Sequence, residues 1–138
     1  MIRRLRRFRV LPLGEKLLFL EAFLLHLWVG MLLMVVPFRR IPRLFASRQL
    51  AVGSQQSAIV ENIRDAVQRA GQVSPWRNRC LVSSLAGRCM LRRRQINSQI
   101  HLGIAKNAAG KTIAHAWLEA EGYEVVMKHG DYHDIYIF

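Results

Sequence analysis

The sequence predicts an α+β domain, two helices followed by an antiparallel meander, with a hydrophobic helical region ahead of it. Three observations carry this expectation. Apolar residues recur at helical spacing in windows 58–70 and 78–94. Three short strand-like runs separated by turn residues follow. Residues 17–36 are almost continuously apolar.

At 138 residues the chain holds one small domain with an appendage. A 51% hydrophobic content supplies a core and excludes global disorder. The net charge of +12 is uneven: residues 1–50 hold ten Lys/Arg and two acids, a net of +8, whereas residues 51–138 hold eleven and seven, a net of +4. Such charge answers to nucleic acid, anionic lipid or an acidic partner. No zinc-finger spacing, RNA-recognition motif or GxxG clamp is present, so no nucleic-acid partner is expected. A charged face or a membrane-surface role is preferred.

Residues 17–36 contain only Glu21 and His26 as strongly polar members, and Pro37 with Arg39 and Arg40 closes the run. No small-residue cleavage site follows before this arginine cluster, which argues against a signal peptide. The length suffices for a bilayer span. Against a span, Glu21 and His26 would be costly in lipid, and equally basic flanks give the positive-inside rule no direction. The preferred reading is a helix covered by the catalytic domain or by a partner. Peripheral membrane contact is compatible with it. Residues 41–57, with Pro42, Gly53 and the Ser54-Gln-Gln-Ser57 tract, read as a connector. The expected organisation is therefore 1–50, a basic segment with a long hydrophobic helix, and 58–138, a catalytic domain.

Within 58–70, Ile59, Ile63, Ala66, Val67 and Ala70 form one helix face and Gly71 is the expected C-cap. Ser74-Pro75 breaks the chain. In 78–94, Val82, Leu85 and Cys89 share one face, and Cys80, Ser84, Gly87 and Leu91 another. The small residues after Cys80 let a strand approach the thiol closely. Arg92, Arg93 and Arg94 complement the helix dipole at a solvated terminus. The expected strands are 100–105, 112–120 and 123–128, with turns at 107–110 and at Glu121-Gly122.

Cys80 and His115 are the candidate chemistry. The first turn of a helix presents free N–H groups and a positive dipole end, which stabilise a thiolate and could serve as an oxyanion hole. Arg77 and Arg79 add positive charge. A cysteine opening a helix and a histidine on a later strand is the layout of a nucleophile with its base. The bland readings are a buried structural cysteine and a packed histidine beside Trp117. Cys89 fits the bland reading, on an apolar face. Nine helical residues set the two cysteines on opposite sides, about 13 Å apart along the axis and beyond disulfide reach. Both are expected to be reduced thiols in a cytoplasmic protein. No pair among Cys80, Cys89, His101, His115, His129 and His133 has zinc-ligand spacing, so no metal and no cofactor are expected.

Read in order, Pro75-Trp-Arg-Asn-Arg-Cys80-Leu-Val-Ser-Ser-Leu-Ala86, Leu91-Arg-Arg-Arg94, His101-Leu-Gly-Ile-Ala105, Ala114-His-Ala-Trp-Leu-Glu119 and Glu121-Gly122 resemble the transglutaminase-like leader peptidase of lasso-peptide biosynthesis. The resemblance covers about 58–138, and the arginine-flanked, Leu-rich N-terminal region is similar to that of the stand-alone form. It implies a papain/transglutaminase-like cysteine-peptidase core with a Cys–His–Asp triad. It also implies cleavage of a ribosomally made precursor to release its leader peptide. The implied partners are a leader-binding recognition-element protein, expected as a separate chain, the lasso precursor peptide, and an ATP-dependent, asparagine-synthetase-like macrolactam cyclase. The family's acidic third member is expected near 126–128, where this chain has Val126, Met127 and Lys128. Asp131 is the nearest substitute, with Glu119 as the alternative because 115, 117 and 119 share a strand face. Two other functions stay open: a non-catalytic scaffold holding the precursor, and an acyl- or amide-transfer enzyme using the same Cys80–His115 dyad.

Overall fold

The structure is a computed structural model of the chain. It describes residue 6 and residues 9–45, 57–76, 79–128 and 130–138. Most of the expected connector, Arg77 and Asn78 ahead of Cys80, and His129 lie outside the described residues.

Helix α1 (Leu13–Val35) follows Pro12 and stops where Val36 turns extended before Pro37. A 3-10 turn (Phe38–Arg40) and a single helical turn α2 (Ile41–Leu44) follow. Helix α3 (Ser57–Val73) and helix α4 (Arg79–Arg93) precede four strands: β1 (Gln99–Lys106), β2 (Thr112–Ala120), β3 (Tyr123–Val126) and β4 (His133–Ile137). α3 runs through the expected cap at Gly71. A β-carbon at Gly71 would lie 3.2 Å from Ser83 Oγ and 3.8 Å from His26 Nε2, so this glycine admits α1 and α4 rather than ending a helix. α4 ends as expected, with Gln95 at φ 59 and Ile96 N–H donating to Leu91 O at 2.9 Å, which closes the last turn.

The sheet is antiparallel with order β3-β2-β1-β4. Glu121 (φ 50) and Gly122 (φ 81) form the two-residue hairpin turn between β2 and β3, both in the left-handed region that such a turn needs. β4 was not among the expected strands. It lies on the far edge beside β1, with Ile100 and Phe138 exchanging backbone hydrogen bonds of 2.8 and 3.0 Å. The chain from β3 to β4 therefore crosses one sheet face, passing over β2 and β1.

The helices cover the other face. Leu118, Ala120, Ile100 and Val125 join Val60, Ile63, Val67, Val82, Leu85 and Met90 in one buried core. Gly87 lets β2 come close, since a β-carbon there would sit 2.7 Å from Leu118 Cδ2. α1 belongs to the same core through Ala22 and Val29, and packs on α3 and α4. Its polar residues face inward: His26 is fully buried, with Nδ1 2.6 Å from Ala22 O and Nε2 2.9 Å from Ser83 Oγ. Glu21 pairs with Arg93 at 2.7 Å and Arg94 at 2.8 Å. Buried Arg88 ties α4 to three other segments, donating to Phe45 O, to Ser98 Oγ and O, and to Phe138 O. Burial pulls its guanidinium down to about 10.

Candidate active site

Cys80 is the second residue of α4, half-buried, and its carbonyl accepts the Ser84 hydroxyl at 2.7 Å. Just upstream, the Trp76 indole is wedged against α1: a β-carbon at Gly30 would lie 2.0 Å from its ring. Arg79 Nε donates to Trp76 O at 3.3 Å, so the tryptophan and the first turn of α4 move together. Cys80 and Gly87 are seven residues apart and share a helix face. Gly87 meets β2, so Cys80 is on the sheet-facing side, about 10 Å nearer the N-terminus. Toward its C-terminus α4 approaches Ser98 and Phe138, beside the end of β2 that holds Glu119. The start of α4, and Cys80 with it, therefore lies toward the His115 end of β2, but on the sheet face that Leu118 occupies and not the one that carries the His115 ring.

Cys89 has a different environment. Burial pushes its thiol up from the ordinary value, against the pull of Arg92 and Arg88, and keeps it protonated. Cys80 thus opens α4, whereas Cys89 is partly buried against the core.

His115 sits on β2 opposite Gly103 of β1. It shares strand parity with Trp117, on which it stacks at 6.1 Å, and not with Leu118, which faces α4. β3 pairs with β2 only at Leu118, Glu119 and Ala120, so the β3-side edge is open at residue 115. Met127, just past β3, fills that edge, and its carbonyl lies 2.9 Å from His115 Nε2. A carbonyl only accepts, so Nε2 carries a proton in this contact. The crossing segment then covers the ring: Tyr132 packs on His115 at 5.0 Å and on Trp117 at 6.1 Å, and Lys128 Nζ lies 5.0 Å over Trp117. Gly103 makes room beneath, since a β-carbon there would fall 2.7 Å from the Trp117 ring.

Asp131 is an exposed residue of this crossing segment, next to Tyr132. Glu119 is on the His115 face, but its described partner is His101, at 3.4 Å. Sequence reasoning missed what surrounds His101. This buried ring lies between Glu119 and Asp134, 3.5 Å away, aligned with neither as a hydrogen bond, and stacks on Trp117 at 5.2 Å. Alternation on β1 and β2 could have joined His101, Trp117 and Glu119. Asp134 needed β4, which was not expected. The Met127 carbonyl carries no side-chain signal at all. Among the described residues no group of three metal-ligating side chains comes together.

The sequence model of the transglutaminase-like superfamily matches residues 23–136, most of the chain, including Cys80, His115 and the second half of α1. No curated protein and no solved structure matches the chain.

Proposed function

The chain belongs to the transglutaminase-like superfamily, and on that footing we propose that it is a cysteine peptidase that removes the leader from a ribosomally made lasso-peptide precursor. The observation that carries this reading is the placement of Cys80 in the first turn of α4, where free N–H groups and the helix dipole favour a thiolate. His115 is proposed as its base, although its ring stands with Trp117 and Tyr132 on the sheet face away from α4. In the proposed reaction His115 takes the Cys80 proton, Sγ attacks the scissile carbonyl, and N–H groups of the first turn of α4 stabilise the oxyanion. The imidazolium then protonates the leaving amine, and water, deprotonated by the same ring, releases the leader from the thioester. Asp131 is the carboxylate proposed to steady the ring. The proposed partners are the precursor, a leader-binding recognition-element protein and an asparagine-synthetase-like macrolactam cyclase.

A second reading, a non-catalytic scaffold that holds the precursor, is favoured by one observation. The acidic position near 126–128 is empty of carboxylates, and the Met127 carbonyl holds His115 Nε2 in its place. Mass spectrometry of precursor incubated with this protein and its recognition-element partner tests both. Peptidase action yields free leader with one water added. Amine addition in place of water would identify an amide-transfer enzyme. Cys80→Ala is expected to abolish product, whereas Cys89→Ala keeps the rate within about threefold, since its thiol is held in the unreactive form. His115→Ala should equal Cys80→Ala, and the double variant should be no slower than either. Intact precursor with a folded wild-type protein supports the scaffold.

A further inference from the structure

Every exposed residue between positions 13 and 38 is apolar. Leu17, Leu20, Leu24, Trp28, Met31 and Val35 follow one another at steps of three or four, so they form one stripe along α1. Trp28 remains 53% exposed on it. The helix is about 34 Å long at 1.5 Å per residue. Its polar side chains are turned away and satisfied. Glu15 pairs with Arg69, Glu21 with Arg93 and Arg94, His26 is bonded to Ser83, and Lys16 donates to Arg9 O. Exposed arginines stand at both ends of the stripe, Arg6 and Arg9 before it and Arg39, Arg40 and Arg43 after it.

We propose that α1 is an in-plane docking helix that seats the protein on an anionic lipid surface, with the stripe among the acyl chains and the arginines on the headgroups. The reading does not depend on the proposed reaction. The acid and the histidine that argue against lipid in the sequence face the protein core. The same contacts oppose a spanning orientation, which would strip α1 from α3 and α4 and leave Glu21 and His26 in hydrocarbon. A protein interface of this length would carry hydrogen-bonding groups along it, about one per 100–200 Å². This stripe has them only at its ends. An apolar face bounded by cations is complementary to hydrocarbon bounded by phosphates.

The test is co-flotation of the full chain with vesicles of phosphatidylcholine alone or with a quarter of phosphatidylglycerol. Binding to the anionic vesicles should be about tenfold tighter at low salt, and the difference should shrink at high salt. A Leu20→Glu/Leu24→Glu variant, with its fold checked by circular dichroism, should lose about tenfold or more of the bound fraction. On the unaltered chain, the emission lost in Trp28→Phe should be quenched by shallow rather than deep spin-labelled lipid. No flotation of the folded wild type, or undiminished flotation of the folded double variant, would overturn the proposal. Deep quenching with resistance to alkaline extraction would replace it by a span. A dimer that the double variant dissociates, without vesicle binding, would assign the stripe to a second copy.

Discussion

At the scale of single residues, the state of the His115 ring is set by a backbone atom. Met127 O accepts a hydrogen bond from His115 Nε2. A carbonyl fixes the tautomer but adds no negative charge to favour the imidazolium, which a carboxylate would. Asp131→Asn therefore measures how much charge the site uses. If Asp131 serves the ring when precursor is bound, kcat should fall about tenfold or more with KM little changed. A rate within about twofold would show that Asp131 does not orient the ring. His26 is the residue whose burial has a consequence for stability. Burial lowers its pKa below 6.5, despite the opposing bond to Ala22 O. The unfolded chain then binds a proton more readily than the folded one, so the stability this neutral ring contributes is full above 6.5. It is lost progressively as pH falls from 6.5 toward the lowered value. The difference in melting temperature between wild type and His26→Gln should therefore shrink from about pH 7 to pH 5. Parallel curves would show that His26 does not titrate on unfolding.

At the scale of elements, the helices were legible because their apolar faces repeat with the helical period, and β1 to β3 because turn residues bound them. Glu121-Gly122 named its own hairpin. β4 was not legible. It is an exposed five-residue edge strand beginning with His133 and Asp134, and it exists because β1 offers it a pairing edge. Gly71 misled for a related reason: its lack of a side chain serves a neighbouring helix, not the end of its own. The candidate site divides likewise. Cys80 and His115 are chemical identities and could be read from the sequence, whereas the Met127 carbonyl and the Tyr132 cover depend on how the chain crosses the sheet. Gly30 shows how packing between elements reaches the site. Any β-carbon there collides with Trp76, whose carbonyl anchors Arg79 beside Cys80. Gly30→Ala is expected to destabilise by about 1–3 kcal/mol and to slow labelling of Cys80 by a thiol reagent that requires the thiolate. Gly14→Ala, with nothing within 4 Å of the added carbon, is the control. It should be neutral or stabilising by up to about 1 kcal/mol. Equal effects of the two would show that the Trp76 contact is not what positions the start of α4.

At the scale of the whole molecule, α1 serves both the fold and the surface. One side supplies Ala22, Val29 and the His26–Ser83 bond to the core, with Phe19, Phe23, Leu25 and Leu33 partly buried against it. The superfamily match begins inside this helix, at residue 23. Burial of a large apolar side chain contributes about 1.5–3 kcal/mol, so the inward face is worth roughly 5–10 kcal/mol, comparable with the net stability of a small domain at about 5–15 kcal/mol. Removing residues 1–40 would bare the surfaces of α3 and α4 that α1 covers and leave Arg69, Arg93 and Arg94 without their glutamates. The truncated chain is therefore expected to be insoluble or to lack a cooperative thermal transition, although Cys80 and His115 are untouched. The Leu20→Glu/Leu24→Glu variant alters only the outward face, and should keep its melting temperature within a few degrees of wild type. A soluble truncation that melts like the full chain would mean that α1 is an appendage, and that the core of α3, α4 and the sheet is complete without it.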